Sequence, residues 1–430
     1  MLRAGLAASV SGQISIMSTT SGPSSSITMQ AQWRKWLIGR ALPLWSDAGF
    51  DSSRHLYHER LGWDASPVPM KQLRLMVQAR QVATYCRAAI DGFYDRSAQA
   101  VRCLDEIERL YRHCDGAPGW IFSLASDGRP ASRVRDLYAH AFILFAYAWA
   151  YKLTAETRYR TIARETMDEI HTIFAAGNGG FRDSLPPADS LRRQNPHMHM
   201  LEACLTLSET TGDAFYLNQA RPLVSLALER FIDARSGMVR EFFDAEWVAA
   251  LPPGRNRAEP GHLFEWSWLL HEYSRLSGCT GAESMRIAAA ADQLFASGVT
   301  AGCHPGTGLA FDAITEDGIV IEHSTRIWPQ TELMRLLGRK QALDGVDAAS
   351  MLPQISGLFF ERYAPDHLAG GWIDRLDQQL RPMVDHMPAS SLYHIYGAGR
   401  EMMTRASEAR HWNASPQSRQ ANVETFISAP

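Results

Sequence analysis

The stretch RRQNPHMHMLEA (residues 192–203) gathers Asn195, His197, His199 and Glu202 around a proline, and three later stretches repeat the design. EPGHLFEWSWLL (259–270) carries His262 and Glu265 three residues apart, followed by Trp266 and Leu269 on the same helical face. RIWPQTEL (326–333) sets Trp328 four residues before Glu332, and PASSLYHI (388–395) brings His394 soon after a proline and two serines. Arg80 lies in MVQARQVATY (76–85) among apolar neighbours. Each of the four reads as the start of a helix. In the first, Asn195 is a suitable cap and Pro196 a suitable first residue, which puts His197, His199 and Glu202 in the first two turns.

Such a set suits proton transfer at a carbon next to a carbonyl. The positive end of a helix dipole favours neutral imidazole, which can take such a proton. A carboxylate three residues away, as Glu265 is from His262, can orient the ring and stabilise the imidazolium that forms. Arg80 can stabilise the developing enediolate charge, and tryptophans can stack on the apolar face of a sugar.

Taken singly, each residue has a plainer reading. A histidine near a helix start is often a capping or hydrogen-bonding group, a tryptophan a core aromatic, a buried arginine one half of an ion pair, and Glu202 a first-turn acid. Recurrence favours a shared site, because helix starts in a ring of hairpins all face one end. The spacings H-x-H and H-x-x-E can also ligate a metal. H-E-x-x-H and a Cys/His cluster are both absent from the sequence, so neither metal nor cofactor is expected. GNGGF (177–181) and PGTG (305–308) are not set between a strand and a helix, and they read as loops rather than nucleotide fingerprints.

Apolar residues recur at three- and four-residue intervals over 29–47, 69–91, 95–115, 132–154, 156–175, 196–211, 214–232, 262–278, 283–299, 325–338, 347–362 and 389–410, predicting about a dozen helices. Strand signals fall only in connections, at 237–247, 308–322 and 370–382, and predict short hairpins. Helix pairs at intervals of about 60 residues imply a repeat in which each hairpin buries its face against its neighbours. The fold class is all-α. Closed into a ring, six pairs make an (α/α)6 barrel; pattern alone favours this only slightly over an open α-solenoid.

With 46% hydrophobic and 21% charged residues, the 430-residue chain can bury a large core. A net charge of −3 gives no reason to expect nucleic acid or an anionic membrane as partner, and no apolar run is long enough to span a bilayer. The six cysteines are scattered without metal or disulfide spacing, which suits reduced thiols in the cytoplasm. Residues 1–28, rich in Ser, Gly and Thr, are expected to be a disordered leader, 29–412 a single catalytic domain and 413–430 a flexible tail. The partner expected is a monosaccharide, and the chain a monomer or homodimer.

In RQNPHMHMLEA, PGHLFEWSWLL, RIWPQTE and PASSLYHI, taken in that order, the chain resembles the N-acylglucosamine 2-epimerase family over roughly residues 30–410. The resemblance implies an (α/α)6 barrel with its pocket at the mouth and cofactor-free chemistry through a cis-enediolate. It implies His262 and His394 as the proton-moving histidines, His199 as a third pocket histidine beside Asn195, and Glu265 as the support of His262. It also implies Arg80 near the O1/O2 end of the sugar and Trp328 as a sugar-facing aromatic. PASSLYHI is similar to the mannose isomerase branch, so interconversion of D-mannose and D-fructose is expected, with D-lyxose as a further substrate. The rivals are a mannose-6-phosphate isomerase gripping phosphate through Arg192, Arg193, Arg255 and Arg257, a sugar 2-epimerase, a glycosidase using paired carboxylates, and a helical scaffold without turnover.

Overall fold

The computed structural model describes residues 23–339 and 348–412. Most of the expected leader (1–22) and the expected tail (413–430) lie outside the described residues. Residues 23–28, expected within the leader, instead belong to a helix, because Pro23 has the fixed φ that suits a first helical turn.

Thirteen α-helices are described: α1 (Pro23–Trp36), α2 (Leu42–Asp47), α3 (Leu75–Ile90), α4 (Ser97–Tyr111), α5 (Leu137–Thr154), α6 (Thr157–Ile173), α7 (Gln194–Thr211), α8 (Ala214–Leu226), α9 (Pro260–Ser277), α10 (Gly281–Gly302), α11 (Ile327–Arg339), α12 (Ala348–Leu358) and α13 (Leu392–Trp412). Helices α3, α5, α7, α9, α11 and α13 pack each on the next, and α13 returns to α3, so this inner set closes on itself. Helices α4, α6, α8, α10 and α12 each back the inner helix before them, and α1 backs α13. Sequence distinguishes the two sets. Inner α5, LYAHAFILFAYAWAYKLT, is apolar almost all round and buried on most sides, whereas outer α6 buries only one stripe, including Tyr159, Ile162, Met167 and Ile170.

A short strand leads into every inner helix. Residues 72–74, 135–136, 192–193, 257–258, 325–326 and 386–388 run into α3, α5, α7, α9, α11 and α13. The first five of these strands pair antiparallel with one in the connection that follows their own hairpin, at 123–125, 184–185, 242–243, 313–315 and 375–376. The sixth, 386–388, pairs back with residues 60–62 near the start of the chain. The N-termini of all six inner helices are thereby tied to one end of the ring.

A second repeat braces four of these six junctions. Four residues beyond Arg74, Asp136, Arg193 and Arg326 stand Gln78, His140, His197 and Gln330, each buried and each bonded to backbone of the preceding connection. His140 Nδ1 donates to Asp136 O (2.7 Å) while its Nε2 accepts from Trp120 N (3.1 Å). His197 does the same with Arg193 O (2.9 Å) and Phe181 N (2.9 Å). Gln78 binds the N–H and C=O of Tyr57, both at 2.8 Å, and Gln330 those of Ala310 at 2.8 and 2.9 Å. His197, one of the histidines of the NPHMH motif, is therefore a backbone staple.

Candidate active site

Because strands fix the inner helices by their N-termini, the first two turns of those helices surround a common cavity of about 430 Å³. Of the residues singled out from sequence, Arg80, Asn195, His199, His262, Glu265, Trp328 and His394 line it. Glu202 and Glu332 sit behind this layer and hold two of its histidines. Glu202 Oε2 lies 3.2 Å from Nδ1 of His199, and Glu332 Oε1 lies 2.8 Å from Nδ1 of His394.

His262 has a different partner from the one expected. Its Nδ1 donates to Glu241 Oε1 at 2.8 Å, and Gln194 Nε2 holds the other oxygen of that carboxylate at 2.9 Å. Gln194 is itself fixed by Trp266 Nε1, which donates to its Oε1 at 2.6 Å. Glu265 forms no hydrogen bond with His262 among the described residues, and its Oε1 lies 3.8 Å from His199 Nδ1. A separation of three residues puts two side chains on one helical face, but it does not prevent a nearer carboxylate from another element taking the contact. Glu241 comes from the connection before α9, next to the strand 242–243 that pairs with 192–193.

Asn195 is likewise not the helix cap. Helix α7 starts two residues earlier than expected, at Gln194, with extended Arg193 in the cap position because its strand pairs with Phe242. Asn195 is left in the first turn with its Oδ1 unpartnered among the described residues and its side chain at the cavity.

The histidines differ in charge preference. Burial, reinforced by the cation of Arg80, pushes His394 well below 6.5, so it is neutral with Nδ1–H directed to Glu332 and Nε2 free as a base. Burial also takes His199 down to about 4. For His262, burial pulls downward, but Glu241 and then Glu259 more than offset it, and the net shift is upward. The dipole-based expectation of neutral imidazole thus fails at His262, where two nearby carboxylates outweigh a partial helix charge. The Trp328 ring packs against both catalytic candidates, 5.0 Å between centroids to His262 and 5.6 Å to His394. It fits there because residue 261 is glycine: a Cβ on Gly261 would come within 2.4 Å of that indole.

Arg80 is buried and forms no ion pair among the described residues. NH1 donates to Ser390 O (3.2 Å) and NH2 to Tyr138 Oη (2.5 Å), and its guanidinium lies 4.1 Å from the Phe142 ring centroid. An arginine held by neutral partners keeps its charge available to an anion forming in the cavity.

Behind the histidines, ligand-type atoms of His199, Glu202 and Glu265 lie within 4.8 Å of one another, as do those of Glu265, Glu332 and His394. Arg335 shares this space, 3.3 Å from Glu332 and 3.8 Å from Glu202.

Three of the four arginines considered as a phosphate grip, Arg192, Arg193 and Arg257, are engaged by other groups of the chain. Arg192 is buried over Trp247 and donates to the carbonyls of Gly179, Phe181 and Ala245. Arg193 pairs with Asp183 and Asp189, and Arg257 with Glu259 and Glu322. Arg255 is exposed on its loop. Arg193 and Arg326 do line the cavity, but so do Glu241, Glu259 and Asp374. Sequence reading missed Glu241, Glu259, Tyr138, Arg326 and Asp374. Of these, Glu259 and Arg326 had a signal there, since they open the EPGHLFEWSWLL and RIWPQTEL motifs.

Among the described residues no helix is long and apolar enough to cross a membrane. The six cysteines are free thiols, with Cys114 exposed.

Comparison with known proteins places the chain in a family. Residues 57–398 match the family described as N-acylglucosamine 2-epimerase. A mannose-6-phosphate isomerase from Rhizobium meliloti is 33% identical over 377 residues, covering 84% of this chain and 93% of that protein. A D-mannose isomerase from Thermobifida fusca is 25% identical, covering 87% and 95%. Among solved structures, a D-mannose isomerase superposes with a TM-score of 0.77 at 19% identity, covering 89% of this chain and 99% of that one. A cellobiose 2-epimerase from Bacillus thermoamylovorans superposes with a TM-score of 0.78 at 18% identity, covering 88% and 100%. The chain belongs to the N-acylglucosamine 2-epimerase family and is an enzyme of the sugar isomerase and epimerase class.

Proposed function

We propose that the protein is an aldose–ketose isomerase that interconverts D-mannose and D-fructose, and D-lyxose and D-xylulose, in the mouth of an (α/α)6 barrel. One observation carries this reading: His262 and His394 pack against the same Trp328 ring with opposite charge preferences. Neutral His394 is the base that takes the C2 proton and returns it to C1. The C2–H electron pair forms the C1–C2 double bond, and the carbonyl pair moves to O1, where Arg80 faces the new charge. His262, held toward its imidazolium form by Glu241, gives and recovers protons at the sugar oxygens during ring opening and exchange between O1 and O2. Return of the proton to the opposite face of C2 would make the enzyme a 2-epimerase.

The name of the Rhizobium relative favours a second reading, a mannose-6-phosphate isomerase. An unphosphorylated sugar is preferred here because the arginines at the mouth are paired with carboxylates and the lining holds Glu241, Glu259 and Asp374. A phosphate dianion would have to displace those partners.

The test is NMR of D-mannose, D-lyxose and mannose 6-phosphate incubated with the enzyme in D2O containing EDTA. Fructose from mannose supports the isomerase, with deuterium at C1 reporting solvent exchange of the base. Glucose as the main product would replace it with an epimerase. Turnover of the 6-phosphate alone would establish the second reading.

A further inference from the structure

Three acidic side chains crowd the cavity floor, and they are not equivalent. Glu202 accepts from His199 Nδ1 and from the Tyr393 hydroxyl, and lies 3.8 Å from Arg335. Glu332 accepts from His394 and from Arg335. Glu265 is as deeply buried, at 1% exposure, yet neither of its oxygens has a hydrogen-bond partner among the described residues. It is also the one of the three that lines the cavity.

Charge points the same way. The Arg335 cation lies between Glu202 and Glu332, 3.8 Å from the first and 3.3 Å from the second, and is already engaged by both. A third ionised carboxylate would be buried beside two others without a donor, which is among the costliest arrangements in a protein interior. A proton removes that cost. A divalent cation on His199, Glu202 and Glu265 would remove it too, but it would have to sit close to the Arg335 guanidinium.

We propose that Glu265 acts as a neutral carboxylic acid whose O–H is donated to the sugar oxygen that becomes anionic when the C2 proton leaves, a role that rests on the enediolate chemistry above. Burial, followed by the like charges of Glu332 and Glu202, raises the Glu265 carboxyl well above the usual carboxylate range, in agreement with the geometry. As O1 gains charge the hydrogen bond to it strengthens. The O2 proton then passes to O1 by way of His262, the O2 electron pair forms the C2 carbonyl as C1 takes the proton held by His394, and Glu265 keeps its own proton. No proton is consumed. Arg80 and Glu265 together then supply a cationic and a neutral donor to the enediolate.

The experiment compares wild type, Glu265→Gln and Glu265→Leu. Gln keeps a donor of similar shape, whereas Leu keeps only the volume. In substrate-free enzyme at neutral pH, the infrared difference spectrum of wild type minus Glu265→Gln is expected to show the carbonyl stretch of a protonated carboxyl group, persisting to mildly alkaline pH. In turnover, Glu265→Gln is expected to lower kcat by less than about tenfold and Glu265→Leu by about 100-fold or more, with KM little changed. No such band, equal losses in the two variants, or a stoichiometric divalent metal retained by wild type and lost from Glu265→Gln would overturn the proposal. The infrared measurement needs no substrate. Absence of the band in an active isomerase overturns this role alone, while the band in a protein that turns over no sugar overturns the isomerase reading and this role with it.

Discussion

Glu241 Oε1 lies 2.8 Å from Nδ1 of His262, a contact between a connecting segment and the first turn of α9 that gives His262 and His394 opposite protonation preferences. Without it, His262 would lose the larger of the two carboxylate contributions that hold its imidazolium form, leaving Glu259 alone against the burial that keeps His394 neutral. Glu241→Gln is therefore expected to lower kcat by about 100-fold, within the usual range for loss of general acid catalysis. Because Glu241 raises the His262 value, its removal lowers that value. The alkaline limb of the kcat–pH profile, where His262 loses its proton, moves to lower pH. A profile whose alkaline limb stays in place in Glu241→Gln would show that His262 is not the acid.

His394 is expected to work as the neutral partner. Its value lies well below 6.5, so wild-type activity should hold as pH falls through 6.5 and decline only below it. His394→Asn should lower isomerase turnover by at least about 100-fold and abolish exchange of the C2 hydrogen with D2O, measured by NMR. His262→Asn should lower turnover while enzyme-catalysed C2 exchange on the open-chain sugar persists. Retention of most turnover in His394→Asn would reverse the two assignments.

The site was legible in sequence where its residues share a helix start, and not where tertiary pairing supplies them. His199, His262, Trp328 and His394 fall in the first two turns of their helices, and short strands bring all those turns to one end, so their recurrence was informative. Glu241 stands 21 residues before His262 in a segment that reads only as a hairpin; nothing local says that pairing of 242–243 with 192–193 delivers it to the ring. The same pairing turned Asn195 from a cap into a cavity residue. The two motif histidines two residues apart, His197 and His199, face different surroundings, backbone for one and cavity for the other, as residues 200° apart around a helix must.

Trp328 depends on the glycine of the PGH motif. A methyl group at residue 261 would overlap the Trp328 indole and crowd Pro329, whose Cβ lies 3.0 Å from the same point. Gly261 has no positive φ, so Gly261→Ala is expected to fold and to shift the indole away from His262 and His394. A rise in KM for mannose of about tenfold is expected, with a changed tryptophan fluorescence spectrum and a smaller effect on kcat, since a displaced stacking surface weakens binding of ground and transition states alike. Unchanged KM in a folded Gly261→Ala would show that the sugar does not rest on Trp328.

The staple positions make a prediction about stability that is independent of catalysis. Gln78 and Gln330 do with an amide what His140 and His197 do with an imidazole: one atom accepts a backbone N–H and another donates to a backbone carbonyl. His197→Gln should therefore be tolerated at neutral pH, whereas His197→Ala should cost about 1–3 kcal/mol, because it leaves the buried N–H of Phe181 without its acceptor. Acid separates the wild type from the Gln variant. Burial lowers His197 to about 4, so between pH 6.5 and 4 the unfolded chain binds a proton that the folded one does not. Folded stability thus falls as pH drops through this window, by roughly 2 kcal/mol at pH 5 from His197 alone. Urea unfolding at pH 7.5 and pH 5 should show His197→Gln losing less on acidification than wild type. Equal losses would mean that the His197 proton equilibrium is the same in the folded and unfolded chain, and that the ring is not held as a neutral clamp between Arg193 and Phe181.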